Sequence, residues 1–593
     1  MKPQPPVTKM RIPARTSSAG KEARADFFST QDSLAPRLLR ALESDWMFWT
    51  ILLLATALRF FLLGIKPPHF DEGINGWFVD QMLKNGFYKY DPTNYHGPLH
   101  FYVLLLSQNL LGRNLWALRL PVVLVSVASV WLVMRFDRVL PRDVARLAAL
   151  AMAVSPGFIF YGRYSIHEVW LLLFSMMFML GLLGLWLHGT VDYLWYTGIG
   201  IAGMILAKET YIIHLGCAAI AVPVLALSAW LPKQLRHLVG FVLSFWPEEK
   251  LTRLRDPLIE CRESLAITPV VDNGPVKQQW TGLDLAIVCL VGIAAIIFFY
   301  SGTFFHWSGI KGLYQTFHAW FKTGHNGNGH EKPFYYWLTL IARYEWPACV
   351  GLVLCGFCQS FRNISLRYLA ITGFGIFLAY SIVHYKTPWC IISIIWPLLF
   401  IFGSFILIVP KRWLTTSLAI AALILTGSLA WAISLNYFRC STFVDFSWNS
   451  EKGRIANIAD FFSSEPYVYV QTYNDIYRLT TPLLELAHAD PKYYHLTGHI
   501  IRASPYPLPW ILDDFPRIGY YEHDSYPPTM DADFLLVQED KVAEVESKLH
   551  DSYFTEALTI RPYQDTSKLY FRASLPEFKK FFPGQTPNFI GKH

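Results

Sequence analysis

Apolar residues in this chain come in blocks of about fifteen to twenty-two, the length a helix needs to cross a hydrocarbon core of ~30 Å. Short polar runs separate them. The blocks fall at about 46–65, 116–134, 144–160, 169–188, 192–206, 211–231, 283–302 and 334–357, and then between Arg367 and His384, up to Pro410, and at 413–434. Each predicts a membrane helix. Between the first two, segment 74–83 has helical spacing of apolar residues, and 98–105 is apolar but short, which places both in or near an interface. After 435 the pattern changes. Segment 467–471 alternates like a strand, 479–487 looks helical, 533–537 reads as a buried strand followed by a helix at 542–549, and 559–561 and 569–572 suggest further strands. The expected architecture is a polytopic α-helical bundle of about 11 spans with a small α/β domain after it.

Charge orients the bundle. Residues 1–44 are polar and basic, without visible period, and read as a largely disordered cytoplasmic tail with a surface helix near its end. The tail is too long, and too far from the first apolar block, for a cleaved signal peptide. With it inside, alternation of the spans puts Arg135, Arg138, Arg142 and Arg146, the basic segment 233–262, Arg362, Arg367, Lys411 and Arg412 on one side, as the positive-inside rule requires. The domain boundaries that follow are 1–44, a membrane module at 45–435 with outer loops at 66–114 and 303–333, and an extracytoplasmic domain at 436–593. The least secure join is the short, weakly charged turn between 169–188 and 192–206.

Composition agrees. The chain is 53% hydrophobic and 16% aromatic, too apolar for a soluble enzyme, so its net charge of +7 reflects topology and not nucleic-acid binding. The eight cysteines are scattered, mostly inside spans. Cys355 and Cys358 read as packing residues, without the second pair a zinc site would need.

The same alternation gathers the unusual polar residues on the outer face: Asp71, Glu72, His96, Arg163, Glu168, Lys208, Glu209, His325, His330, Lys332, Glu345, His384 and Lys386. Intramembrane and boundary ionisable groups are costly unless paired or used. Convergence on one face suits a reaction pocket better than a conduction path, which needs polar groups at the midplane and inner face. At an outer membrane surface nucleotide sugars are absent, so an activated donor arrives on a lipid. A polyprenyl-phosphate sugar meets that need. Attack at its anomeric carbon calls for a base, for which Asp71 is the candidate, and for cations at the departing phosphate, for which Arg163, Lys208, Lys332 and Lys386 are candidates. Direct displacement implies inversion. The residues fix no cofactor; a divalent metal ion held by His325 and His330 with a carboxylate is the candidate, against a solvated Gly-rich loop as the plainer reading.

The order of motifs carries a resemblance. Asp71-Glu72 after the first span, Tyr95-x-Gly97-Pro98-Leu99 around His96, and Leu111-Gly112 followed by Ala117-Leu118-Arg119-Leu120-Pro121 resemble the GT-C superfamily, and within it glycosyltransferase family 39. That family includes protein O-mannosyltransferases and the lipid A aminoarabinose transferase. Tyr161-x-Arg163-Tyr164 with Glu168, Lys208-Glu209-Thr210, His330-Glu331-Lys332-Pro333, Tyr344-Glu345-Trp346-Pro347, Lys386-Thr387-Pro388-Trp389, Ser504 to Trp510 and Gly519-Tyr520-Tyr521 are similar to a prokaryotic subfamily labelled flippase activity-associated. The resemblance implies a GT-C-like fold, Asp71 as catalytic aspartate with Glu72 beside it, a polyprenyl- or dolichyl-phosphate sugar donor, and membrane lipids as partners. His96, Glu168 and Glu345 are the further substrate-binding candidates. The acceptor, whether protein, lipid or glycan, stays open. A lipid-linked-sugar transporter or flippase and a non-catalytic assembly scaffold are the rival readings. The location implied is the plasma (inner) membrane, with the C-terminal domain periplasmic or extracellular and, in the plainer reading, a lid without chemistry.

Overall fold

The computed structural model describes residues 34–94, 96–243, 278–326, 330–358, 361–438, 465–522, 525–561 and 566–592. Most of the basic tail, most of the long basic segment and Cys440 lie outside them.

An amphipathic helix α1 (Leu34–Glu43) meets the first apolar helix α2 (Asp45–Phe60) at 69°. Two further helices, α3 (Phe70–Asn85) and α4 (Leu99–Leu111), occupy the first outer loop of the sequence reading. Then come α5 (Leu115–Arg135), α6 (Arg142–Val154), α7 (Pro156–Tyr161), α8 (Glu168–Leu187), α9 (Val191–Ala207), α10 (Tyr211–Leu243), α11 (Gly282–Tyr300), α12 (Ser308–Asn326), α13 (Tyr336–Tyr344), α14 (Trp346–Cys355), α15 (Ile364–Ile382), α16 (Ile391–Gly403) and α17 (Leu414–Ile433). Every apolar block has its helix. Among the described residues six helices are long and apolar enough to cross a membrane, and up to seven if the bent pair α1–α2 counts as one. The remaining blocks give shorter apolar helices.

Local chemistry sets the ends. Asn114 caps α5 by accepting from the Ala117 N–H at 2.9 Å, and Ser155 caps α7 ahead of Pro156. The block read as one span at 334–357 is two helices, α13 and α14, broken at Glu345. Pro347 explains the break: it removes a donor and crowds the residue before it. The doubtful pair α8–α9 packs through small residues. A Cβ on Gly184 would strike the Tyr193 ring at 2.1 Å, and one on Gly200 the Phe178 backbone at 2.5 Å. Such close approach holds helices together where lipid gives no hydrophobic drive. α16 is buried all round and forms the bundle axis.

The C-terminal domain holds a five-stranded sheet: β1 (Gly498–Ile501), β2 (Ile518–Tyr521), β3 (Phe534–Gln538), β4 (Tyr553–Leu558) and β5 (Ser567–Arg572), in the order β2-β1-β3-β5-β4. β1 runs parallel to β2 and β3, and β5 antiparallel to β3 and β4. Helix α18 (Ile476–Ala489) covers one face through Leu479, Leu483 and Leu486. Two expected strands are not strands. Residues 559–561 follow β4, and 467–471 form an irregular segment, left-handed at Val470, driven into the helical bundle, where Tyr467 is fully buried and stacks on Tyr344 at 4.1 Å.

The domain docks on α3. Pro507 sits against Gly73 and Trp510 against Gly76, so closely that a Cβ on either glycine would meet them at 2.4 Å. Arg113 donates to Asp80, to Asp514 at 3.0 Å and to the Trp510 carbonyl.

Candidate active site

The site begins at the start of α3. Pro67 and Pro68 hold the chain extended before it, and His69 caps the helix. The His69 Nδ1 accepts from the Asp71 N–H at 3.1 Å, and the Glu72 carboxylate reaches back to the His69 N–H at 2.9 Å, closing a capping box. His69 Nε2 then donates to the Tyr469 carbonyl at 2.9 Å, which puts the ring proton on Nε2.

Glu72 is fully buried and fully engaged. Arg119 from α5 grips it with Nε to Oε1 at 2.8 Å and Nη2 to Oε2 at 2.7 Å, and the Ser165 N–H adds a bond at 2.9 Å. Burial opposes its charge, but Arg119 and these donors prevail and hold the carboxyl below its ordinary value. Arg119 also donates to the carbonyls of Leu63, Lys66 and Pro67. The pair therefore staples the chain leaving α2 to the start of α3. It leaves Glu72 no oxygen for substrate.

Asp71 is different. Its side chain keeps 29% of its surface exposed, and His69 Nδ1 is 4.0 Å away. Burial pushes its pKa up; His69, His96 and Lys208 oppose this and Glu168 adds to it. An open carboxyl of raised pKa is what a general base requires.

Behind it lies a recess with about 480 Å³ of empty space, lined among others by His96, Lys208, Glu209, Tyr385, Trp389 and Cys390. Lys208 pairs with Glu168, and His96 Nδ1 meets Glu209 Oε2 at 3.2 Å. A backbone bridge between His96 and Lys208 holds the two pairs side by side. The short span-end segments 330–332 and 384–386 pair likewise, through Lys386 N–H to the His330 carbonyl at 3.1 Å and Lys332 N–H to the His384 carbonyl at 3.2 Å. That brings Lys332 and Lys386 together, with the Lys386 Nζ donating to the Lys332 carbonyl at 3.1 Å. Burial lowers both to about 8, and Lys332 adds its repulsion at Lys386.

Tyr469 joins these parts. Its carbonyl receives His69, its hydroxyl meets His330 Nδ1, the Lys332 ammonium lies 5.8 Å from its ring, and Trp389 packs edge-on at 5.7 Å. Neither Tyr469 nor His69 was singled out from the sequence. The strand-like alternation of 467–471 was the available sign, and it was read as a sheet.

Two expected site residues stand elsewhere. Arg163 donates to the carbonyls of Leu58, Phe61 and Leu62, closing the C-terminus of α2, where four carbonyls lack helical partners. Glu345 accepts from Ser155 Oγ at 2.5 Å, the Gly157 N–H at 2.7 Å and Tyr467 Oη at 2.9 Å, tying the α13–α14 break to α7. The His325 side chain lies outside the described atoms. Among the described residues no group of three or more His, Cys, Asp or Glu is placed to hold a metal ion. His330 turns its Nδ1 to the Tyr469 hydroxyl. Neither Cys355 nor Cys358 is in a disulfide among the described residues.

Residues 95–247 match the family model of dolichyl-phosphate-mannose-protein mannosyltransferase. No curated protein matches the chain by sequence. The crystal structure of ArnT from Cupriavidus metallidurans in the apo state is similar with TM-score 0.52 and 13% identity, over 89% of this chain and 97% of that one. ArnT from the same organism bound to undecaprenyl phosphate gives TM-score 0.52 and 13% identity, over 91% and 98%. The fold is ArnT-like. The helical bundle and the C-terminal domain together account for the similarity, since it covers nine-tenths of this chain. The resemblance read from the order of the motifs and the likeness of the fold agree.

Proposed function

We propose that this chain is an integral membrane glycosyltransferase that moves a sugar from a polyprenyl-phosphate donor to an extracytoplasmic acceptor. The observation that carries the reading is the division of labour at the start of α3: Glu72 is locked by Arg119, while Asp71 stays part-exposed near Tyr469, whose ring the Lys332 ammonium approaches at 5.8 Å. The similarity to ArnT bound to undecaprenyl phosphate supports a lipid-phosphate donor. The basic tail and loops support an arrangement with the C-terminal domain outside the cytoplasm.

In this mechanism an acceptor hydroxyl approaches the anomeric carbon from the side opposite the phosphate. Asp71 takes its proton as the new C–O bond forms. The bond from the anomeric carbon to the phosphate oxygen breaks, and the lipid phosphate leaves with the electron pair. Lys332 and Lys386 stabilise the charge that develops there, Tyr469 spacing them from the base. The configuration inverts. Lys208, paired with Glu168, serves to shape the recess.

The test is turnover of a panel of polyprenyl-phosphate sugars by the full chain in nanodiscs. Slow donor hydrolysis, or transfer when acceptor is present, is the expected result; lipid scrambling without either would support a flippase instead. Lys332→Met should raise the donor KM about tenfold to a hundredfold, the worth of one charge-assisted hydrogen bond. The pH profile of kcat/KM should show an alkaline limb. Both lysines are charged below about 8 and lose their protons above it, so donor capture weakens as pH rises through that value. Removing Lys332 also removes its repulsion on Lys386, so the limb should move to higher pH in that variant.

A further inference from the structure

A second cleft lies along α3. Trp77, Gln81 and Asn85 recur at four-residue steps and share one helix face. With Phe87 and the segment 88–92 they wall a cleft with about 950 Å³ of empty space. Among the described residues its charged lining residues are Lys89 and Asp91, one of each sign. The Tyr88 hydroxyl at its wall is on a side chain 1% exposed and has no hydrogen-bond partner among the described residues.

A ladder of rings connects the cleft to the base. Phe70, next to Asp71, packs edge-on against Tyr506 at 5.8 Å, and Tyr506 against Trp77 at 6.3 Å. All three rings are part-exposed. By helical rise Trp77 stands about 9 Å along the axis from Asp71, and Asn85 about 21 Å.

Rings beside amides suit one ligand chemistry. A saccharide presents apolar C–H faces that lie on aromatic rings, and hydroxyls that donate and accept at once. Gln81 and Asn85 each offer both a donor and an acceptor. A polypeptide strand would need a sheet edge to pair with, and the cleft, walled by α3 and the irregular segment 87–92, offers none among the described residues. The balanced charge gives a polyanion nothing to hold.

We infer that this cleft binds a neutral glycan chain and that the ladder leads its end to Asp71, which makes a saccharide the acceptor. The inference rests on the glycosyltransferase reading but is tested apart from it. Neutral gluco-, manno- and galacto-oligosaccharides are titrated by saturation-transfer NMR against the full chain in nanodiscs. The expected result is binding of at least one of them by the wild type, equally by Asp71→Asn, and about tenfold weaker by Trp77→Ala and by Gln81→Ala, the loss of one stacked ring or one hydrogen-bonding group. Gln81 is half-exposed, so its variant reports even where removal of Trp77 disturbs the fold. Absence of binding by any oligosaccharide at millimolar concentration overturns the inference. So does binding indifferent to both substitutions, or Trp77-dependent binding of a Ser/Thr peptide where no glycan binds. Donor hydrolysis without glycan binding would sink the cleft and leave the transferase; glycan binding without hydrolysis of any donor would do the reverse.

Discussion

Asp71→Asn should lose about two to four orders of magnitude in turnover, the range for removing a general base, while still binding the lipid-phosphate donor. Asparagine keeps the side-chain shape but cannot take a proton. The fold should not suffer. The His69 cap is made by the backbone N–H of Asp71, not by its carboxylate. Burial raises the pKa of Asp71, so its charged form is disfavoured in the folded state. A carboxyl with a raised folded pKa costs stability at pH above its unfolded value, and the neutral amide removes that cost. The variant should therefore melt no lower than the wild type. The same shift predicts that wild-type activity falls on acidification at a pH above the ordinary aspartate value of about 4. Equal turnover in the two proteins would remove Asp71 from the mechanism.

Arg119→Met should cost about 3–5 kcal/mol, the price of stranding one partner of a buried ion pair. Glu72 would keep only the His69 and Ser165 N–H donors in a fully buried place. Glu72→Gln should be of similar size, because Arg119 would then be the buried charge without its carboxylate. The readout is the midpoint of thermal aggregation in detergent. The double variant Glu72→Gln with Arg119→Met should recover part of the loss, since neither charge is stranded. The pH dependence has a definite sign. The Glu72 pKa is lowered in the folded state, so its contribution is present above the unfolded value of about 4.3 and lost as pH falls through the lowered one. If Glu72→Gln melted like the wild type and lost only turnover, Glu72 would belong to the chemistry and not to the staple.

The sequence announces most of the bundle because span length and basic loops are one-dimensional signals. Asp71 was legible for the same reason: a carboxylate at a membrane boundary is conspicuous on its own. The Lys332–Lys386 pair was legible as two outer-face cations, but not as neighbours. Their approach depends on a two-residue backbone pairing between segments some fifty positions apart, which leaves no local trace. Glu72, Arg163 and Glu345 were placed with the site because topology brings charges to one face without saying what each one touches. The structure shows them closing capping boxes, carbonyl ends and a helix break, the ordinary needs of buried backbone. Tyr467 and Tyr469 misled in the opposite way. The apolar alternation of the sequence is that of a strand, but the segment turns at Tyr467 and takes a left-handed backbone at Val470, and periodicity alone does not show this.

The bond from His69 to Tyr469 joins residues 400 positions apart. During synthesis the helix that carries Asp71 is among the first parts made, and the segment that seats on it is among the last. Until Tyr469 arrives, and Pro507 and Trp510 settle on Gly73 and Gly76, the start of α3 has neither its carbonyl partner nor its cover. A ribosome-bound or prematurely ended chain can fill the bilayer with helices yet leave the carboxylate open to water. A fragment cut before residue 465 would keep its helices but lack Tyr469, Pro507 and Trp510, the partners that seat the start of α3.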